Sequence, residues 1–271
     1  MVVALCSLAV ACTGAEQRSG ARQPATTAVP SSAPQVTTTA APGPTTTVAP
    51  PPATSSPTTI PTRPATAVSR GNPNRWMVAL TFDAGSDTGF AAQILDTLAA
   101  ERVTASFGLT GRWAEQNQAL VTRIASDGHQ LINHTWDHRS FTGVSAKPAV
   151  TSPAERRDQL DRTEAILHRL TGQTTRPWFR PPYGDFDASV HADVGAAGYR
   201  YNVLWTVDSL GWQGLSAGAI AARCLRGAQP GAIYLFHVGA ASQDAAALPA
   251  IISALRADGY SFGTVSDVVG D

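Results

Sequence analysis

Short apolar runs with strand-like patterning alternate with segments of helical spacing from residue 76 onwards. Strands are predicted at 76–82, 104–109, 130–133, 178–180, 201–207 and 232–236, and helices at 90–98, 120–125 and 152–170. The longest helix is the clearest, because Pro153 suits its first turn and Gly172 suits its end. Repeated strand–helix units predict an α/β fold built on a parallel sheet or a (β/α) barrel.

Ionisable residues stand at the C-terminal ends of five predicted strands. They are Asp83, His134, Arg180, Asp208 and His237. The carboxyl ends of the strands of a barrel meet at one face, where the active sites of such folds lie. One site assembled from five distant parts of the sequence is therefore predicted.

The segment before this pattern has a different composition. Of the 50 residues in 21–70, 39 are Pro, Thr, Ala or Ser, and large apolar side chains are almost absent. Such a segment cannot bury enough surface to offset the entropy lost on ordering. A disordered linker is predicted over 21–70, which leaves 71–271 for one catalytic domain.

Residues 1–20 have the features of an export signal. The stretch 2–11 is apolar and too short to span a bilayer, although no Lys or Arg precedes Arg18. The run from Leu8 to Cys12 resembles a bacterial lipobox. We therefore expect an exported protein, either a cell-envelope lipoprotein anchored through Cys12 or a secreted protein, with no other membrane contact.

Charge and histidine spacing narrow the chemistry. Lys plus Arg and Asp plus Glu both number 20, so a nucleic-acid partner is not expected. His134 and His138 are four residues apart, and on a helical turn both rings would share a face and reach one ion. Imidazole nitrogens suit a divalent metal, with zinc the first choice and cobalt or nickel the alternatives.

Five ordered motifs resemble those of the polysaccharide deacetylases of carbohydrate esterase family four, the NodB homology group. They are Thr81-Phe82-Asp83-Ala84-Gly85, His134-Thr135-Trp136-Asp137-His138, Arg180-Pro181-Pro182-Tyr183-Gly184, Asp208 with Trp212, and Leu235-Phe236-His237. The resemblance covers 76–269. It implies a distorted (β/α) barrel and a metal-dependent hydrolase that removes N-acetyl groups from an amino-sugar polymer. Peptidoglycan is the first choice of substrate and a chitin-like oligomer the second, and no protein partner is implied.

The resemblance also implies a role for each matching residue. Asp83 matches the general base, Arg180 its orienting partner, and His134 and His138 the metal ligands. His237 matches the general acid, and Asp208 the group that raises the pKa of His237. The Tyr183 backbone N–H matches the oxyanion donor, and Trp212 and Leu235 match the walls of the acetyl pocket.

One position departs from the family pattern. The first motif normally carries two adjacent Asp residues, the second of which binds metal, whereas this chain has Ala84 there. Asp87 could replace the lost ligand, water or Asp83 could fill its position, or the site could bind no metal usefully. Asp87 could instead simply cap the following helix. Two rival functions follow: a non-catalytic, polysaccharide-binding lipoprotein, and an amidohydrolase acting on a small cyclic amide.

Overall fold

Nine short strands form one sheet in the computed structural model, which describes residues 63–150 and 152–270. The strands are β1 (Thr66–Val68), β2 (Met77–Ala84), β3 (Ser106–Leu109), β4 (Gln130–Asn133), β5 (Trp178–Phe179), β6 (Tyr201–Val203), β7 (Val207–Asp208), β8 (Ile233–His237) and β9 (Ser261–Gly263). All pairings between these strands are parallel. Their carboxyl ends therefore lie along one edge.

The order of the strands shows that the sheet is curled. It runs β1-β6-β5-β4-β3-β2-β8-β7, with β9 paired to the first half of β2. β6 and β7 lie towards opposite ends of this order, yet only residues 204–206 separate them in the chain. Leu204 donates its N–H to Val68 on one side, and Thr206 donates its N–H to Ile233 on the other. The predicted distorted (β/α) barrel is confirmed.

Eight α-helices connect the strands in the described part of the chain. They are α1 (Ala91–Glu101), α2 (Gly111–Gln116), α3 (Gln118–Ser126), α4 (Pro153–Thr171), α5 (Ala188–Ala196), α6 (Ala217–Arg226), α7 (Asp244–Ala257) and α8 (Val265–Val269). α4 begins after Ser152, whose hydroxyl accepts the N–H of Glu155, and ends at Gly172 in a left-handed conformation. Among the described helices, none is long and apolar enough to cross a membrane.

The central strand β2 separates the apolar core from the polar interior of the curl. Every second residue from Val78 to Ala84 is fully buried in the largest apolar cluster, together with residues of α1, α7 and β3. Side chains alternate between the two faces of a strand, so Asp83 lies on the opposite face from Phe82 and Ala84. The alternation therefore places one carboxylate in the interior without exposing the core.

Two predicted boundaries are wrong. The strand predicted at 201–207 is two strands, because the chain passes from one side of the curled sheet to the other at 204–206. The predicted linker reaches residue 70, but Thr66–Val68 pairs with Tyr201–Val203 and Ala65 is buried. The pattern of apolar residues does not predict this strand, because the segment has low hydropathy and the strand is held by backbone hydrogen bonds. Residues 21–62 of the predicted linker, the export signal and Cys12 lie outside the described residues.

Glu164 on α4 ties that helix to the segment before β5. Its carboxylate accepts hydrogen bonds from the hydroxyls of Thr174 and Thr175 and from the Thr175 N–H, and Arg176 lies 3.0 Å away. Burial raises the pKa of Glu164, but these donors and the Arg176 charge outweigh it and hold the pKa below its ordinary value. A carboxyl with a lowered folded pKa stabilises the protein above its unfolded pKa of about 4.3, and this contribution is lost as the pH falls.

We expect Glu164→Gln to lower the free energy of unfolding at neutral pH by about 1–2 kcal/mol, since the buried Thr175 and its neighbours Thr174 and Arg176 lose a charged acceptor. The deficit should shrink when unfolding by denaturant is repeated below about pH 4, where the wild-type carboxyl also becomes protonated. Glu115→Gln, at an exposed position on α2, is the control. A deficit that is equally large at both pH values would contradict this account.

Candidate active site

A cavity of about 620 Å³ opens at the carboxyl edge of the sheet. Eight of the nine residues predicted for the site line it: Asp83, His134, His138, Tyr183, Asp208, Trp212, Leu235 and His237. The ninth, Arg180, is fully buried and bonded to Asp83. The curl thus brings residues from five strand ends to one place, which we call the site cavity.

Asp83 and Arg180 form a buried ion pair at the edge of the site cavity. Arg180 Nη1 donates to Asp83 Oδ1 at 2.7 Å, while its Nε donates to the Val203 carbonyl at 3.0 Å. Burial opposes ionisation of Asp83, but the charge and the hydrogen bond of Arg180 favour the carboxylate, and the pKa of Asp83 is lowered. The carboxylate is therefore ionised and fixed in direction.

The tautomer of His134 follows from its hydrogen bond. Its Nδ1 lies 2.9 Å from the carbonyl oxygen of Arg180, and because a carbonyl can only accept, Nδ1 carries the hydrogen. Nε2 then has a free lone pair and lies 3.5 Å from Asp83 Oδ2. A backbone carbonyl behind the ring is the usual partner of a metal-binding histidine.

His138 reaches the same place by a loop and not by the helical turn predicted for the pair. Thr135 and His138 both have left-handed backbone conformations, with φ of 68° and 63°. Asn133 Oδ1 accepts the Thr135 N–H, and Thr135 Oγ1 accepts the His138 N–H. The two rings meet edge to face with centroids 4.9 Å apart. Positive φ in residues with a Cβ marks strain, which is often kept at functional sites.

Both rings are held neutral. Burial lowers the pKa of His134, and it lowers the pKa of His138 to about 3 with help from the neighbouring His134. Neutral imidazole is the form that binds a metal.

His237 lies beside Asp83 as its register partner on the adjacent strand β8. The predicted partnership between Asp208 and His237 is not found. The two oxygens of Asp208 accept from the Leu210 N–H at 2.9 Å and from Trp212 Nε1 at 3.4 Å, whereas His237 Nδ1 is buried without a hydrogen-bond partner. Asp208 follows its strand as predicted, but its carboxylate folds back onto its own loop.

The predicted substrate-contact residues surround the opening. Tyr183 and Trp212 are about half exposed, and Leu235 is buried in the wall. Tyr183 has φ of 61° within the turn Pro182–Gly184, and its ring packs against His138 with centroids 4.7 Å apart. Tyr183 is a bulky residue in a left-handed backbone conformation, and strain of this kind is often kept at functional sites.

The donor set fits a divalent ion with two protein nitrogens as ligands. No group of three or more His, Cys, Asp or Glu side chains able to hold a metal occurs within 63–150 and 152–270. Asp87 is therefore not brought to the histidine pair. The predicted helix-cap role is also wrong, since α1 has no side-chain cap and Asp87 Oδ1 accepts the Ala240 N–H instead. By the same finding Asp83 does not join the two histidines as a third ligand, so water is the oxygen ligand that remains.

Comparison with known proteins matches this site to a family. Residues 70–202 match the family described as polysaccharide deacetylase. A peptidoglycan-N-acetylglucosamine deacetylase of Bacillus cereus is 36% identical over 195 residues, which cover 71% of this chain and 68% of that protein. The chain belongs to the polysaccharide deacetylase family. A peptidoglycan-N-acetylmuramic acid deacetylase of Bacillus subtilis, PdaA, is 31% identical over 202 residues, 73% of each chain.

Solved structures of the family have the same fold as this polysaccharide deacetylase. A peptidoglycan N-acetylglucosamine deacetylase superposes with a TM-score of 0.69 at 34% identity, covering 75% of this chain and 92% of the other. A CE4 family pseudoenzyme from Bacillus anthracis superposes with a TM-score of 0.68 at 29% identity, covering 75% and 69%. The chain spans 60% of the length of another relative, the uncharacterized YlxY of Bacillus subtilis, at 29% identity.

Three residues of this deacetylase support the site without having been predicted to belong to it. Asn133 is fully buried and donates to the Leu160 carbonyl and to the Tyr199 hydroxyl, which fixes the loop that carries both histidines. Gly108 on β3 lies against the Asp83 carboxylate. Asp244 accepts the backbone N–H of His237 at 2.8 Å. The position of Asn133 at a strand end could identify it from sequence, whereas Gly108 and Asp244 are recognisable only from the packing.

We expect Gly108→Ala to reduce activity strongly without unfolding the sheet. A Cβ at residue 108 would lie 2.3 Å from Asp83 Oδ1, so the carboxylate would have to leave Arg180. Gly218→Ala on α6 is the matched control, because its Cβ would meet nothing within 4 Å. Acetate release per folded molecule measures the effect. Equal activity in the two variants would show that the Asp83 position is not critical.

Proposed function

We propose that this polysaccharide deacetylase hydrolyses N-acetyl groups on the amino sugars of peptidoglycan. The observation that carries the proposal is the buried Arg180–Asp83 pair, which lies beside His134 in the site cavity and next to His237. Several relatives are known as peptidoglycan deacetylases, which favours peptidoglycan over the chitin-like alternative.

Hydrolysis of an acetamide needs an activated water and a proton for the departing nitrogen. Asp83, ionised and oriented by Arg180, takes a proton from water as its oxygen bonds to the acetyl carbon. The carbon–nitrogen bond then breaks as His237 gives a proton to the sugar nitrogen. The products are a free amine and acetic acid, which ionises to acetate. The proton taken up by Asp83 passes to His237 before the next turnover, so atoms and charges balance.

His134 and His138 would hold the divalent ion, for which zinc is the first choice. When bound, such an ion supplies a Lewis acid for the acetyl oxygen and lowers the pKa of bound water. The other residues act on the substrate directly: the Tyr183 N–H stabilises the oxyanion, while Trp212 and Leu235 enclose the acetyl methyl group.

The test is acetate release from purified peptidoglycan and from a chitooligosaccharide, each with and without chelator. We expect release from peptidoglycan, a loss of release with chelator, and recovery when zinc, cobalt or nickel is added back. Two imidazoles form a weak site, so chelation should act at low chelator concentration. Release that is insensitive to chelator would refute metal dependence, and absence of release from both polymers would refute the proposed activity.

A second function, binding without hydrolysis, is favoured by one observation. Ala84 occupies the position of a family metal ligand, and a similar structure is that of a CE4 family pseudoenzyme. Peptidoglycan pull-down combined with the acetate assay separates the two: retention on the polymer without release would support the binding function.

The expected location of the enzyme is the cell envelope, with anchoring through Cys12 as a lipoprotein and secretion as the alternative. A long segment rich in Pro, Thr, Ala and Ser between the anchor and the domain would give the domain reach along an immobile polymer. Cell fractionation and labelling with a fatty acid, in wild type and Cys12→Ser, test this. Unchanged labelling in Cys12→Ser would rule out that anchor.

A further inference from the structure

Two complementary polar atoms near the site cavity are left without hydrogen-bond partners. His237 Nδ1 and Asp244 Oδ1 are both buried, and neither has a hydrogen-bond partner among the described residues. Buried polar atoms are nearly always paired, because an unpaired one retains the cost of leaving water. One of these atoms can donate a hydrogen, and the other can accept it.

The two side chains are already connected through the backbone. Asp244, fully buried at the first position of α7, accepts the His237 N–H through Oδ2 at 2.8 Å. The His237 ring and this N–H belong to the same residue, so rotation about the side-chain bonds of His237 changes the distance between Nδ1 and the Asp244 carboxylate.

The rival carboxylate is engaged elsewhere. Both oxygens of Asp208 are occupied by its own loop, through the Leu210 N–H and the Trp212 indole. Asp208 also accepts from Arg223 Nε through its backbone carbonyl at 2.6 Å, which fixes the strand end. Of these two carboxylates, Asp244 is the one that accepts a hydrogen bond from His237 in the described part of the chain.

Gly211 makes room for the Asp244 side chain. A Cβ at residue 211 would lie 2.5 Å from Asp244 Oδ1 and 2.2 Å from Ser242 Oγ, so any other residue would displace the carboxylate. Burial raises the pKa of Asp244, and His237 is among the groups that oppose this rise.

We infer that Asp244 accepts a hydrogen bond from Nδ1–H of His237 and so directs the other ring nitrogen, Nε2, towards the substrate. Asp244 is then a positioning residue for the proton donor. The catalytic role inferred for Asp244 rests on the proposed function, whereas the hydrogen bond between His237 and Asp244 can be observed without substrate.

The test uses NMR of the histidine ring nitrogens together with kinetics on peptidoglycan. The His237 signals are those lost in His237→Gln. In wild type, we expect Nδ1 of His237 to carry a hydrogen that is protected from exchange. In Asp244→Asn the amide oxygen can still accept the backbone N–H, but the amide nitrogen then faces Nδ1, so the hydrogen should move to Nε2. We expect kcat to fall about 10- to 100-fold with little change in KM, as when the partner that orients a histidine is lost.

The control and a rescue variant separate positioning from folding. Asp258→Asn, at the exposed end of the same helix, should change neither the signals nor kcat. In Gly211→Asp/Ser242→Ala/Asp244→Ala, the Cβ of residue 211 would lie 2.8 Å from the position of the lost Asp244 Cγ. The new carboxylate would therefore share the space of the old one, and kcat should recover relative to Asp244→Ala.

Unchanged His237 signals in both Asp244 variants would overturn the inference, as would a signal change in Asp208→Asn with none in Asp244→Asn. If wild type shows the pairing but releases no acetate, the proposed function fails and the pairing stands. If wild type releases acetate but shows no protected Nδ1–H, only the inference fails.

Discussion

Replacing Asp83 with Asn is expected to reduce acetate release from peptidoglycan by about 10²–10⁴-fold, the range for loss of a general base. Asparagine keeps the size of the side chain but cannot take a proton from water. The carboxylate is held by Arg180 at 2.7 Å and lies 3.5 Å from His134 Nε2, which fixes it in the site cavity. The loss should appear in kcat, because the walls of the acetyl pocket are unchanged.

Asp96→Asn is the control for this measurement. Asp96 is exposed on α1 and pairs with Arg123 on the outer surface, so its loss should leave kcat unchanged. Because Asp83→Asn leaves the buried Arg180 without its carboxylate, activity must be expressed per folded molecule. Retention of more than about a tenth of wild-type kcat would exclude Asp83 as the general base.

The location of the site was predictable from sequence because it depends on strand ends. A parallel sheet carries the residues that follow its strands to one edge, whatever the details of packing. Asp83, His134 and His237 therefore required only the correct strands and the family motifs. The site cavity contains all three.

Contacts that depend on side-chain direction were not predictable in the same way. The spacing of the two histidines predicts a helical turn, but Thr135 and His138 adopt left-handed backbone conformations that no local sequence pattern predicts. The family motif predicts Asp208 as the partner of His237, but the Asp208 carboxylate accepts the Leu210 N–H of its own loop instead. Gly108 has no side chain, and its role is to leave space for the Asp83 carboxylate.

Replacing Arg180 with Ala is expected to destabilise the folded protein by about 3–5 kcal/mol as well as to abolish activity, because Asp83 would be buried without a counter-charge. Arg180 has no exposed surface and also donates to the carbonyls of Val203 and Leu204, where the chain passes between β6 and β7. Denaturant unfolding at neutral pH measures the loss.

The double variant Asp83→Asn/Arg180→Ala tests whether the loss comes from the unpaired charge. Both charges are then absent. We expect the double variant to be more stable than the sum of the two single changes by about 1–3 kcal/mol. Strict additivity would mean that Arg180 acts through its carbonyl contacts alone.

Acidification gives an independent check with a definite sign. In wild type the lowered pKa of Asp83 stabilises the folded state above the unfolded pKa of about 3.9, and this contribution is lost as the pH falls. Without Arg180, burial dominates and raises the pKa of Asp83 in the folded state, so protonation now favours folding. The stability gap between wild type and Arg180→Ala should therefore narrow from neutral pH towards about pH 4. Because the double variant lacks the titrating carboxyl, its stability should not show the gain on acidification that is expected of Arg180→Ala.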